Sequence, residues 1–207
     1  MKLSNRIGSK LYQLRAAHED RRFGGSMEEI RPSRFKARGA EATQSSDYRC
    51  MDRLFEQLRF NNDDLLVDVG CGQGRVLAYL RRRHFPGRLI GVELDPEVAA
   101  EAADRVGETA HTEIRCGDIL EQRDLLREAA YFYLFNPFNG KIFSKFIDAL
   151  EKERTAPVTL IYLFDYYGEY LRERPGWTCL WCGDIPRAGR DTAHGSIWNY
   201  KGPGTVS

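Results

Sequence analysis

The chain has 207 residues, 42% of them apolar and 29% charged, with a net charge of +1. This is enough for one α/β domain with a substantial core, and the composition is that of an ordinary globular protein. No apolar run approaches the roughly 20 residues needed to span a bilayer, and MKLSNRIGSK lacks the continuous apolar stretch of a secretory signal, so a cytoplasmic location is expected.

In chain order, residues 2–18 predict an amphipathic helix that packs through Leu3, Ile7, Leu11 and Leu14, with basic residues mostly between them. Residues 1–40 hold ten Lys/Arg against four Asp/Glu, a balance of +6. Such an arm suits an acidic partner, nucleic acid or a phospholipid surface, or forms a solvated helix face. No clear nucleic-acid motif accompanies it. Residues 20–46, rich in Gly, Arg and Ser, predict a linker or lid, so the chain divides into an arm (1–46) and a main domain (47–207). Residues 47–60 return to helical periodicity, with Asp47 as N-cap.

Beyond residue 60 the pattern alternates. Strands are expected at 65–69, 88–94, 112–117, 131–136 and 159–164, with helices at 75–84, 96–106, 121–128, 140–153 and 166–173. Two further strands, at 178–183 and 196–201, have no long helix between them. This predicts an α/β fold: a mostly parallel seven-strand sheet, helices on both faces, and a C-terminal antiparallel hairpin. The cysteines at 50, 71, 116, 179 and 182 form no regular framework. Cys179 and Cys182 make a lone CxxC in an aromatic strand, with the histidines scattered, so packed thiols are expected and no metal.

The first strand runs into Asp68-Val69-Gly70-Cys71-Gly72-Gln73-Gly74-Arg75. Glycines at 70, 72 and 74 permit a sharp turn and close approach of a ligand, and a helix follows at once. Dinucleotide enzymes use GxGxxG; the spacing here is GxGxG, with an acid two residues ahead. Glu93 ends the second strand, 23 residues after Gly70, where a carboxylate can accept hydrogen bonds from a ribose diol. The third strand ends in Gly117-Asp118-Ile119 and the fourth in Asn136-Pro137-Phe138. Polar or glycine-rich residues thus recur at the carboxyl ends of four strands, the edge where open α/β sheets bind ligands.

Residues 47–201 resemble the class I, seven-strand, Rossmann-like S-adenosylmethionine-dependent methyltransferases. VDVGCGQGR is similar to their glycine-rich first motif, GVELDP to the acidic second, and CGDI to the third-strand motif. The resemblance implies S-adenosyl-L-methionine as cofactor. Asp68 and the backbone of Gly70, Cys71, Gly72 and Gly74 would hold its methionine end, Glu93 with Leu94 its ribose, and Asp118 with Ile119 its adenine. In similar proteins the segment before the first strand folds over the methionine end, which singles out Thr43, Gln44 and Tyr48.

Asn136-Pro137-Phe138 resembles the Asn-Pro-Pro-aromatic motif of amine and amide N-methyltransferases, with Phe in place of the second Pro and Asn139 in place of the aromatic. A closer likeness is to small methyltransferases carrying an LFNPF-type motif after a GCGQGR-type loop, and a fainter one is to the non-SET histone lysine methyltransferases. An Asn oxygen with a nearby carbonyl can take the hydrogens of an NH₂ group and aim its lone pair at the sulfonium methyl. Nitrogen is slightly favoured over oxygen for the unidentified methyl acceptor, a small molecule or a protein side chain. Tyr48 and Asp165 are candidate bases, and Asp165, Tyr166 and Tyr167 candidate borders of the acceptor pocket. A nicotinamide-dependent reductase and an inactive cofactor-binding module are the alternatives.

Overall fold

Alternation of strand and helix beyond residue 60 builds one sheet covered on both faces. The computed structural model describes residues 3–23, 25–27, 29–187 and 191–202, with side chains from residue 8 onward. Its elements are α1 (Leu3–Arg21), α2 (Tyr48–Phe55), β1 (Leu65–Val69), α3 (Arg75–Arg82), β2 (Arg88–Glu93), α4 (Pro96–Val106), β3 (Thr112–Cys116), α5 (Arg123–Glu128), β4 (Tyr131–Phe135), α6 (Gly140–Glu153), β5 (Val158–Leu163), α7 (Gly168–Arg172), β6 (Trp177–Ile185) and β7 (Ala193–Tyr200). The strand order is β3-β2-β1-β4-β5-β7-β6. Strands β1 to β5 pair in parallel, and β7 is antiparallel to both its neighbours, as the sequence pattern predicts.

The central strands are apolar on both faces; β1 is buried at all five positions. Such strands need cover on both sides. The period of two sends Leu66, Tyr133 and Ile161 to a core shared with Met51, Leu54 and Leu77, and Val67, Phe132 and Leu160 to one shared with Leu126, Phe146 and Leu150. Local signals start the helices: Asp47, Asp95 and Asn139 cap α2, α4 and α6 by accepting from the backbone N–H of Arg49, Glu97 and Ile142. Strands are added outward in one direction from β1 to β3 and in the other from β4 to β5, and that switch point between β1 and β4 opens a crevice at the carboxyl ends of the strands.

Helix α1 departs from expectation. Leu11 and Leu14 are 61% and 68% exposed, and the helix docks instead through Tyr12, Ala16 and Asp20. Leu3 and Ile7 lie outside the described side chains. A buried ion pair sets the rotation. Asp20 accepts from Arg75 Nε at 3.2 Å and Nη2 at 2.6 Å, from the Tyr48 hydroxyl at 2.6 Å, and from the Met27 backbone N–H at 3.0 Å. Arg75 is as buried as its partner. Stranding that guanidinium in the core costs more than leaving two leucines in water.

Cys179 is half-buried and Cys182 exposed on β6, at the sheet edge. Among the described residues no group of His, Cys, Asp and Glu could hold a metal, and no helix is long and apolar enough to cross a membrane.

Candidate cofactor and acceptor site

The glycine loop leaves β1 and is packed on both sides. Gly70 and Gly72 sit at φ +69° and +53°, and a Cβ would lie 2.8 Å from Pro137 Cβ at Gly70 and 2.9 Å from Thr43 Cγ2 at Gly72. Only glycine fits that conformation and clearance. The loop is therefore wedged between the turn after β4 and the segment before α2. The backbone N–H groups of Gly70 and Cys71 both donate to Val92 O, tying the loop to β2.

Glu93 ends β2 and is buried. Its Oε2 accepts from Gly72 N at 2.9 Å and its Oε1 from Asp95 N at 3.0 Å. Burial pushes its pKa up, and these backbone donors oppose the rise. Each oxygen keeps a lone pair for a ligand hydroxyl. Glu93 lines a cavity of about 290 Å³, together with Gly70, Leu94, Asp118, Ile119, Pro137 and Phe138.

The opposite wall is a strap formed by residues 31–44. Arg31 and Thr43 exchange backbone hydrogen bonds of 3.0 and 2.9 Å, closing the strap on itself. Glu41 N donates to Pro137 O and Asn139 N to Gly39 O, fastening it to the turn after β4. Three arginines pin it to the body: Arg31 to Glu101, Arg34 to Asp95 and Glu97, and Arg38 to Asp118 at 3.0 Å. Arg34 holds Asp95 below the usual carboxylate range. Asp118 also accepts from Leu120 N, so it caps the turn that follows and lines the cavity at once.

Thr43, Gln44, Gly70, Glu93, Leu94, Asp118, Ile119, Pro137 and Phe138 thus come together around one cavity. Asp68, Cys71, Gly72, Gly74, Asn136 and Tyr48 are not among the residues that line it. Tyr48 is buried, its hydroxyl donates to Asp20, and burial pushes its pKa far up, which makes it a poor base.

The donor set fits S-adenosylmethionine. Asp68 Oδ2 and Gln73 Oε1 are buried acceptors with no hydrogen-bond partner among the described residues. Orphaned acceptors are costly unless a donor arrives. A ligand that brings an ammonium and a sulfonium cation supplies donors and positive charge together. Burial, and then the charge of Glu93, hold Asp68 well above the usual carboxylate range. Its protonated form persists upward in pH, and a bound cation favours the ionised form. Cofactor affinity should therefore rise with pH through the raised Asp68 pKa, with a proton released on binding. Calorimetric titration in buffers of different ionisation enthalpy checks this. Pairing with no proton release, or an unchanged pH profile in Asp68→Asn, counts against it.

Two non-glycine residues at the carboxyl edge hold left-handed conformations: Asn136 (φ +43°) after β4 and Phe164 (φ +54°) after β5. Strain of this kind, of order 1–3 kcal/mol each, concentrates at functional edges. Phe135 stacks on Phe164 at 5.3 Å, and the Arg187 guanidinium lies over Phe164 at 5.2 Å. His194 is held by Asp184 (Nδ1 to Oδ1, 2.9 Å), with Asp165 Oδ1 3.7 Å from Nε2. Burial raises the Asp165 pKa, and Ser196 and His194 oppose the rise. No sequence motif marks His194, Asp184 or Arg187. Because β7 is antiparallel, its first residues and the end of β6 arrive at the ligand edge; the predicted hairpin was the available signal.

A doubly wound sheet with a glycine loop, a second-strand carboxylate and orphaned acceptors at the switch point defines a nucleoside-binding α/β protein. A family described as "Methyltransferase domain" matches residues 66–143. Ribosomal RNA small subunit methyltransferase A of Synechococcus sp. (strain CC9902) is 27% identical over 137 residues, 63% of this chain and 50% of that protein. A probable fatty acid methyltransferase of Pseudomonas putida is 34% identical over 80 residues, 39% of this chain and 20% of that protein. The chain thus spans half or less of the curated relatives it matches. An RNA methyltransferase from Salinibacter ruber in complex with S-adenosyl-L-homocysteine superposes with a TM-score of 0.57 at 19% identity, covering 79% of this chain and 96% of that one. Over residues 66–143 the chain is similar to a methyltransferase family, and its relatives and fold neighbours are methyltransferases, which supports S-adenosylmethionine as its cofactor.

Proposed function

We propose that the protein transfers the methyl group of S-adenosylmethionine to a nitrogen acceptor. The observation that carries this reading is Asn136: its Oδ1 is buried and unpartnered, in a turn that touches the glycine loop through Pro137. An acceptor N–H donated to that oxygen leaves the nitrogen lone pair directed at the methionine end of the cofactor. The cofactor supplies an activated methyl group, so the protein's part is to bind, orient and exclude water. The strap from Arg31 to Gln44 excludes water from one side. Asp165 and His194, 3.7 Å apart at the carboxyl end of β5 and the start of β7, are our candidates to receive the proton the nitrogen loses. The name of the Synechococcus relative makes ribosomal RNA the first fraction to assay, and that of the Pseudomonas putida relative makes fatty acids the second.

The test is transfer of labelled methyl into protein, RNA, lipid and small-molecule fractions of a cell extract, with mass spectrometry of the labelled product locating the methyl on nitrogen, oxygen or carbon. Label in an N-methyl product supports the reading; an O- or C-methyl product replaces it; no label in any fraction leaves a cofactor-binding module. Asn136→Ala is expected to lower turnover roughly tenfold to a hundredfold while the affinity for S-adenosylhomocysteine stays nearly constant. Equal loss of both assigns Asn136 to the cofactor.

A further inference from the structure

Helix α1 presents two opposite faces. One, with Tyr12, Ala16 and Asp20, is buried against the domain. At 3.6 residues per turn, Leu11 and Leu14 fall half a turn away and stand in solvent. The sequence repeats an apolar residue at the same helical spacing at Ile7 and Leu3.

Charge is sorted between the two faces as well. Residues 1–22 carry six Lys/Arg against two acids, Glu19 and Asp20. Both acids are used internally, Glu19 by Arg82 and Asp20 by Arg75. Arg15 is used too, by Asp52 at 2.7 Å. Lys10, Arg21 and Arg22 remain exposed and form no ion pair with a described residue. Lys10 and Arg21 flank the leucine stripe on one side, exposed His18 lies within it, and Arg22 follows the end of the helix. Exposed leucines beside exposed lysine and arginine side chains match the chemistry of an anionic lipid surface: leucines enter the acyl boundary and the long basic side chains reach the headgroups. A second copy of the helix would set cation against cation, and an RNA backbone has no use for the leucines.

We propose that the outer face of α1 seats the protein on an anionic bilayer surface, with the methyltransferase domain held above it. The proposal does not depend on the acceptor. Its test is co-sedimentation of the full chain with vesicles of equal parts phosphatidylglycerol and phosphatidylcholine, against pure phosphatidylcholine, at low and high salt. Binding is expected to the anionic vesicles alone and to fade with salt. The double variant Leu11→Glu/Leu14→Glu should weaken partitioning by at least about tenfold, and Lys10→Glu/Arg21→Glu should abolish the preference for anionic lipid. Unchanged affinity for S-adenosylhomocysteine in both variants shows that the fold survives. No binding to either vesicle, or equal binding to both, overturns the proposal. A concentration-dependent dimer that Leu11→Glu/Leu14→Glu dissolves assigns the face to a second copy instead. RNA binding that the charge reversal removes and the leucine variant leaves intact, without vesicle binding, assigns it to nucleic acid.

Discussion

Asp20→Asn is expected to lower the unfolding free energy by about 3–5 kcal/mol. Asp20 and Arg75 are both buried, and the substitution removes the carboxylate charge that faces the guanidinium there. The Arg75 Nη1 bond to Ser46 O, at 3.2 Å, and the Tyr48 ring 5.1 Å beneath the guanidinium do not neutralise it. Arg75 opens α3 directly after the glycine loop, and Asp20 also holds Tyr48 and the Met27 backbone. The effect should therefore reach the strap and the loop together, with weaker cofactor binding as well as lower stability. Urea unfolding with and without S-adenosylhomocysteine measures both. A loss below about 1 kcal/mol, the range of exposed pairs, would mean that α1 docks without this bond. The same coupling implies that residues 47–207, expressed alone, fold poorly.

Glu93→Ala should weaken cofactor binding by about 1.5–3 kcal/mol, between tenfold and some hundredfold. The carboxylate has two roles. Its free lone pairs are available to the ribose hydroxyls, and it pairs the N–H groups of Gly72 and Asp95. Alanine removes the first and leaves two buried donors unmet. Glu93→Gln, which keeps one acceptor oxygen and no charge, should fall between. Calorimetric titration with S-adenosylhomocysteine decides; an unchanged dissociation constant removes Glu93 from the site.

The parts of the site that lie in local turns were legible in the sequence, since each is written in a few consecutive residues at a strand end. Gly70, Gly72, Glu93, Asp118 and Asn136 belong to this set, because the glycine spacing and the strand ends fix them without knowledge of the rest of the chain. Tyr48 was placed near the cofactor by resemblance and proves to be tied to Asp20, a partner 28 residues away that no local pattern announces. The strap followed the same division. Its position ahead of the first strand suggested a lid, whereas the pairing of Arg31, Arg34 and Arg38 with Glu101, Asp95, Glu97 and Asp118 needed α4 and the turn after β3 in place.

By itself the sequence determined the order of strands and helices, the antiparallel last strand and the cofactor motifs. These rest on periodicity, capping and backbone permissiveness, which act over a few residues. Only the tertiary structure decided which face of α1 is buried, and that His194 and Arg187 reach the carboxyl edge of the sheet. The four apolar residues of α1 have a spacing that a packed helix and an exposed stripe satisfy equally. What separates the two is the free energy of one buried charge pair, Asp20 with Arg75, formed across 55 residues of chain. Long-range electrostatics of that kind leaves no periodic trace, and so it appears only when the chain is folded.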